Sequence, residues 1–379
     1  MKPLKTLFVS PAGATYGSER SMLALLRARQ FAAEVVCPGG GALERELVAL
    51  GIKVHPLEFN KYSLRQNPLW HLGFYRRFSR ILKRSKPDVV VINLDGNAPL
   101  VTLVAVRAGV PIVRFSRFEF QPPNRGLDRW CWLKAKAIIC PSELVRQQVL
   151  AWAPPKFDGQ VYRFYDAYIG QKASKAEAAA GRQEFGLGSD KVIGCVGRLH
   201  RGKRIETAIR ALAAVRKQVG QARLLVIGGD DGSANERAYQ AELQQLAQDM
   251  GVGEAVIFTG YRPAEKMPAA IAAFDVCVLP SESESFGMVL MEAWAQGVPT
   301  VASDVGGCSE ITRASGGGYL APVGHVDIFT GSLLKLLANP QMADDMGRKG
   351  QHWVKQSCDP AKYAAQFQSL LSSFQSATP

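Results

Sequence analysis

The chain lacks any continuous apolar run of the roughly 20 residues that a membrane-spanning helix needs. Its start, Met1-Lys2-Pro3-Leu4-Lys5, runs straight into a strand-like segment from Thr6 to Ser10, so a cleavable leader is not expected. Cysteine is sparse and scattered, at 37, 131, 140, 195, 277, 308 and 358, with no Cys-x-x-Cys. That spacing argues against a disulfide or zinc framework and for a reducing cytoplasm. The five histidines are equally dispersed, and no metal-ligand cluster emerges. No internal repeat occurs, and Ala176 to Ala180 is the one low-complexity stretch. Neither half carries Gly-x-Gly-x-x-Gly after a strand with an acidic residue about 20 positions on, which argues against a nicotinamide-dependent oxidoreductase.

What is present points to two globular domains. A length of 379 residues with 47% hydrophobic content is long for one core and comfortable for two. Strand patterns at 5–10, 33–37, 52–57, 88–93, 111–115, 137–140 and 160–164 alternate with helical patterns near 18–30, 42–50, 67–86, 98–108, 126–136 and 142–152. Residues 166–190 read as a linker with a short helix, and a second alternating series occupies 191–356. The fold class is therefore α/β, with two doubly wound halves (1–165 and 191–356) and a terminal helical segment over 357–379.

Acidic charge is scarce in the first half. Residues 1–150 hold 23 Lys and Arg against 10 Asp and Glu, and the remainder holds 23 against 23, so the whole net charge of +13 belongs to the first half. Between Glu58 and Asp88 there is no acidic residue, and Phe74 to Lys86 combines the apolar stripe Phe74, Phe78, Ile81 and Leu82 with six cations. Such a segment is either a solvated helix face or a surface that rests on anionic lipid. No nucleic-acid module accompanies it.

Two segments carry candidate chemistry. In the first, an apolar strand (Cys277–Leu279) leads through a polar turn (Ser281–Gly287) into a helix from Met288 to Gln296, with Val289, Leu290, Ala293 and Trp294 on its buried side. Free N–H groups and the positive dipole end at Ser285, Phe286, Gly287, Met288 and Val289 make a ready anion site. Glu284 lies in the loop above it, and Glu292 one turn after Met288. With 18 Glu in the chain, one such spacing is expected by chance, so the context carries the weight. In the second, the strand Val192–Gly197 leads into Arg198-Leu199-His200-Arg201-Gly202-Lys203 and a helix, so Arg198 and Lys203 stand at a strand's carboxyl end.

Gly197-Arg198-Leu199…Lys203 followed by Glu284-x₇-Glu292 resembles the donor-domain signature of the retaining family-4 glycosyltransferases. Leu225–Asp230, Val256–Tyr261 and Ser303–Gly307 add to the resemblance, which covers most of residues 190–320. It implies the GT-B fold, two Rossmann-like domains facing each other across a cleft, with the terminal helix returning to the first. It implies a UDP- or GDP-sugar donor as substrate, no cofactor and no metal. The acceptor would be a hydroxyl of a glycan or lipid-linked molecule, in cell-surface polysaccharide or lipopolysaccharide synthesis; the basic first half adds the expectation of docking on the inner membrane face. A sugar-nucleotide epimerase of the same fold is the alternative, although that class does not carry the Arg198, Lys203, Glu284 and Glu292 set. In the resemblance Arg198 and Lys203 stabilise the departing diphosphate, Glu284 holds donor-sugar hydroxyls, Glu292 holds the ribose, and the backbone from Phe286 to Leu290 orients both.

Further donor contacts are expected from Gly17, in the Gly-rich turn after the first strand, from Gly228, and from Tyr261 or Arg262 stacking on the base. Asp230–Asp231 reads as a solvent-facing or capping pair and not as a metal site. On the acceptor side many family members carry a His where this chain has Ser116-Arg117-Phe118-Glu119. Asp95, which ends the preceding strand and could bind acceptor or donor hydroxyls, is a catalytic candidate, and Arg117 and Glu119 are acceptor-side candidates.

Overall fold

Runs such as Val89–Ile92 and Val276–Leu279 are apolar at every position, the pattern of strands buried on both faces of a parallel sheet. The computed structural model describes residues 4–28, 31–59, 66–95, 97–123, 126–229 and 233–375. It comprises two units, Met1–Ala167 with Cys358–Pro379, and Tyr168–Ser357.

In the first unit, β1 (Lys5–Val9), β2 (Ala32–Cys37), β3 (Lys53–Pro56), β4 (Val89–Ile92), β5 (Ile112–Phe115), β6 (Ala137–Cys140) and β7 (Val161–Arg163) form a parallel sheet in the order β3-β2-β1-β4-β5-β6-β7. The crossovers contain α1 (Gly17–Arg27), α2 (Ala42–Ala49), α3 (Pro68–Ser85), α4 (Ala98–Arg107), α5 (Gly126–Leu133) and α6 (Glu143–Trp152). Local chemistry sets several starts: the Asn67 side chain accepts from Trp70 N at 3.1 Å to open α3, and Ser142 opens α6 in the same way.

The second unit begins with α7 (Lys175–Glu184). It then alternates β8 (Lys191–Val196), α8 (Ile205–Val215), β9 (Ala222–Ile227), α9 (Ala234–Asp249), β10 (Val256–Phe258), α10 (Met267–Ala272), β11 (Val276–Leu279), α11 (Met288–Gln296), β12 (Thr300–Ser303), α12 (Gly306–Ser315), β13 (Gly318–Ala321), α13 (Val326–Ala338) and α14 (Pro340–Ser357). Its parallel sheet runs β10-β9-β8-β11-β12-β13. Trp294 on α11 is completely buried, donates Nε1–H to Gly317 O at 2.8 Å and meets Trp353 of α14 edge-on.

Two details concern the boundaries. The stretch 166–190, expected as a linker, belongs to the second unit from Tyr168 onward. Its helix α7 is opened by a Ser174–Glu177 capping box, and Arg182 just before its end donates to Ala273 O at 2.8 Å, so the segment is docked. The terminal helix α15 (Pro360–Gln375) belongs to the first unit. There the buried Phe367 meets Phe8 at 5.9 Å, Phe31 at 5.2 Å and Phe115 at 6.2 Å between ring centroids. No helix among the described residues is long and apolar enough to cross a membrane.

Candidate active site

In each sheet the strand order reverses once, between β1 and β4 and between β8 and β11. Open α/β sheets bind ligands outside the carboxyl ends of the strands at such a reversal. In the second unit the loops after β8 and β11 are those that carry Arg198, Lys203 and Glu284.

Lys203 and Glu284 form a partly buried ion pair. Both are held from below. His200 Nδ1 accepts from Gly202 N at 3.1 Å and shapes the turn that presents Lys203, whose stem runs along Gly197. Glu282 N donates to Gly202 O at 2.8 Å, joining the two loops through their backbones. Ser281 donates to Glu284 Oε1 at 2.9 Å. Arg198 is exposed on the same β8 loop.

The helix α11 opens directly after this loop. Gly287, at φ 100°, is its N-cap, and no side-chain hydrogen bond caps it; a helix start left uncapped is one at which an anion is favoured. Phe286, Gly287 and Leu290 are buried, and Ser285, Met288 and Val289 are half-buried. Glu292 was expected one turn after Met288, on the helix face turned toward the cleft. It is 6% exposed and, after burial and Cys195, adds to the upward shift of the Cys277 thiol on β11, so it sits low against the strand ends. Burial pushes the nearby Cys195 thiol up to about 12 and the Cys308 thiol well above its ordinary range, which removes both as nucleophiles.

Glycine is required at two close approaches. A Cβ on Gly228, at φ +138°, would lie 1.9 Å from Gly197 O, so the ends of β8 and β9 meet with no side chain between them. At Gly306 and Gly307 a Cβ would come within 1.9 and 2.4 Å of the carbonyls of Glu284 and Ser285, and Gly307 N donates to Glu284 O at 2.8 Å. The turn before α12 is thus the seat of the Glu284 loop.

Tyr261 is 50% exposed and open to a flat partner. Arg262 is not: it pairs with Glu184 and lies over the Phe185 ring at 4.4 Å, so its planar face is already used. The Asp230–Asp231 pair lies outside the described residues. Among the described residues no group of three His, Cys, Asp or Glu is placed to hold a metal.

In the first unit Gly17 begins α1, beside a turn fixed by Leu43 N donating to Gly13 O at 3.0 Å. Arg117 was expected to face the acceptor, but its guanidinium is committed to the protein. It donates to Asn93 Oδ1 at 2.8 Å, to Asp166 at 2.6 Å and to Ser21 at 3.0 Å, and it faces Tyr363 of α15. Glu19, fully buried in the same network, accepts from Ser10 and Ser18. Asp95 is exposed and pairs with Arg114, a buried arginine inside β5. Glu119 is half-buried and borders a cavity with Asp95 and Arg114. Arg114 was missed from the sequence, although a cation inside the apolar run Pro111–Phe115 was a readable signal.

Two parallel α/β units with an anion-ready reversal point define the class as a two-domain transferase fold of the GT-B type. The sequence pattern of the group 1 glycosyl transferases matches residues 179–353, and that of the glycosyl transferase 4-like domain matches residues 19–158. The chain belongs to this family, the family-4 group 1 glycosyltransferases. It is 35% identical over 198 residues to a GDP-mannose-dependent alpha-(1-6)-phosphatidylinositol monomannoside mannosyltransferase of Mycolicibacterium smegmatis, a match that covers 50% of each chain. It thus spans about half the length of that relative. It is 24% identical over 330 residues to N-acetyl-alpha-D-glucosaminyl L-malate synthase of Bacillus anthracis, covering 84% of this chain and 83% of the other. The crystal structure of Anabaena HepE with UDP and glucose superposes with a TM-score of 0.84 at 22% identity, over 98% of this chain and all of that one.

Proposed function

We propose that this protein transfers a sugar from a UDP- or GDP-sugar to a hydroxyl of a glycan or lipid-linked acceptor, with retention of configuration and without a metal. One observation carries the reading: the Lys203–Glu284 pair and Arg198 flank the reversal point of the second sheet, under the uncapped start of α11. The chemical task is the charge that builds on the departing diphosphate, and preorganised cations and amides stabilise such charge electrostatically. In the resting protein Glu284 neutralises Lys203. When the donor arrives, Lys203 and Arg198 turn to its phosphates and Glu284 takes sugar hydroxyls. Glu292, low against β11, holds the ribose, and Tyr261 lies against the base. The β-phosphate oxygen, retained beside the acceptor hydroxyl, takes its proton, so no histidine is needed at Ser116–Glu119.

A lipid-linked acceptor is supported by the mannosyltransferase relative, whose name specifies a phosphatidylinositol glycan, and by the outer face of α3. On it Leu69 (79% exposed) and Leu72 (45% exposed) continue at helical spacing into the exposed Arg76, Arg80 and Lys83. This is the surface by which we propose the enzyme rests on the inner membrane face during polysaccharide or lipopolysaccharide assembly. Each cation near anionic headgroups contributes roughly 1 kcal/mol. Binding to anionic vesicles should weaken with salt and with Arg76, Arg80 and Lys83 changed to Gln; equal binding to neutral vesicles would reject this docking.

The donor reading is tested by thermal shift with UDP, GDP, ADP and their sugars. A nucleotide at about 100 times its Kd stabilises by about 2.7 kcal/mol. UDP or GDP should raise the Tm and transfer should survive EDTA. No shift with either nucleotide, or transfer abolished by EDTA, overturns the reading.

A further inference from the structure

Arg204 stands in the left-handed region, at φ 49° and ψ 44°, as the N-cap of α8. A non-glycine residue there is uncommon and strained, so it persists only where its surroundings over-determine it. Arg204 directly follows Lys203, which itself ends a single 3₁₀ turn over Arg201–Lys203. On the strand side of Lys203 the backbone is held by Glu282 N, which donates to Gly202 O at 2.8 Å. On the helix side the Arg204 side chain does not cap α8, so the amide of Ile205 needs a partner from elsewhere.

That partner comes from α9. The hydroxyl of Tyr239, a residue only 4% exposed, accepts from Ile205 N at 3.2 Å and donates to Glu206 Oε2 at 2.6 Å. One phenol thus ties the first two residues of α8 to a different helix. Burial, and then Glu206, raise the phenol's pKa, so the hydroxyl keeps the proton it donates. Glu206 in turn lies 3.6 Å from Arg204 Nε, an ion pair that closes the turn. Three residues along α9, Glu242 accepts from Arg201 at 2.6 Å, and the Arg201 guanidinium lies 5.4 Å from the centre of the Tyr239 ring. Both partners of that second pair are exposed, so it contributes little by itself. The buried hydroxyl is the firm point.

Lys203 is therefore straddled, with Gly202 fixed before it and Ile205 fixed two residues after it. We infer that Tyr239 is a positioning residue, whose hydroxyl holds the strained turn that aims Lys203. The inference rests on the glycosyl-transfer reading for the reaction that Lys203 serves, and on this geometry alone for the brace. Packing does not require the hydroxyl, since phenylalanine would fill the same space. Without it Ile205 N loses its partner, Arg204 is free to relax, and Lys203 shifts with it. A misplacement of about 1 Å can cost up to about 10²-fold in rate.

The test compares Tyr239→Phe with wild type, both as the full chain. Without any ligand, hydrogen exchange followed by mass spectrometry should quicken about tenfold in the segment 201–206 and stay unchanged in β8 and β11. With UDP-glucose or GDP-mannose as donor, kcat should fall about tenfold at unchanged KM, the pattern of a contact that acts only in the transition state. In a Lys203→Ala background the same substitution should cost nothing further, because the group it aims is gone. Four results overturn the inference: unchanged loop exchange, exchange that quickens equally in both strands, wild-type kcat in Tyr239→Phe, or an undiminished loss in the Lys203→Ala background. Faster loop exchange in Tyr239→Phe, when the wild type transfers from neither donor, upholds the brace and sinks the donor reading.

Discussion

The two units repeat one strand order and fill its reversal point in opposite ways. At β1 and β4 the space above the strand ends is packed with polar side chains bonded to one another: Ser10, Glu19, Ser21, Asn93, Arg117, Asp166 and Tyr363. At β8 and β11 it is floored by Gly197 and Gly228 and edged by the half-buried Lys203–Glu284 pair. A buried, fully bonded ion pair fixes structure, because moving either partner strands the other in a low dielectric. A half-buried pair can open at modest cost and exchange its partner for a ligand. Identical topology therefore offers a position, and burial decides whether that position is used for architecture or for chemistry.

The largest effect that separates the two should come from Arg117→Met. It leaves Asp166 buried without its cation, which typically costs about 3–5 kcal/mol. Thermal unfolding should show a large fall in Tm, with nucleotide affinity of the surviving folded protein unchanged. A normal Tm would mean that the first reversal point is as pliable as the second.

Next in size, Lys203→Ala and Arg198→Ala should each lower kcat by about 10²–10³, the usual loss for one preorganised donor to developing charge, with Tm close to wild type. Wild-type turnover in either variant removes that residue from the site, and a Tm drop as large as that of Arg117→Met would make the pair architectural.

The sheets were legible in the sequence because strands buried on both faces are apolar at every position, as in Val89–Ile92, and glycine-containing loops punctuate them. The cations after β8 were legible for the same reason: a charged loop that follows an apolar strand can lie only at its carboxyl end. Arg117 satisfied the same local rule and was misread, since its partners Ser21, Asp166 and Tyr363 are 96, 49 and 246 positions away. Sequence spacing carries no information on which strand-end loops are roofed over. Arg262 failed in the same way, through Glu184 at a separation of 78 residues. The docking of α7 was half legible: Ser174-x-x-Glu177 announces a helix, but not the surface it meets.

A finer division within the second site concerns its carboxylates. Glu292→Gln should weaken binding of the free nucleotide, because the ribose is present in donor and product alike. Glu284→Gln should leave free UDP or GDP affinity nearly intact and impair transfer. Equal nucleotide affinity in both variants, with differences confined to turnover, would refute this assignment of roles.

The smallest expected effect returns to the packed reversal point and is a slope, not an offset. Burial raises the pKa of Glu19 above its ordinary 4.5, against the opposing pull of Ser18, its own backbone, Ser10 and Arg117. A carboxyl whose folded pKa is raised binds its proton more tightly in the native state. The native state is therefore penalised progressively as pH rises from about 4.5 through the folded pKa, and is relieved as pH falls. Glu19→Gln removes the titration and keeps one acceptor oxygen, while its NH2 group can donate to the other serine hydroxyl, which turns to accept. The Tm of the variant minus that of wild type should therefore grow from pH 4.5 toward neutrality and then level off. A difference that stays constant across that range would mean that the Glu19 carboxylate is accommodated without penalty, and that the first reversal point is less closed than its burial implies.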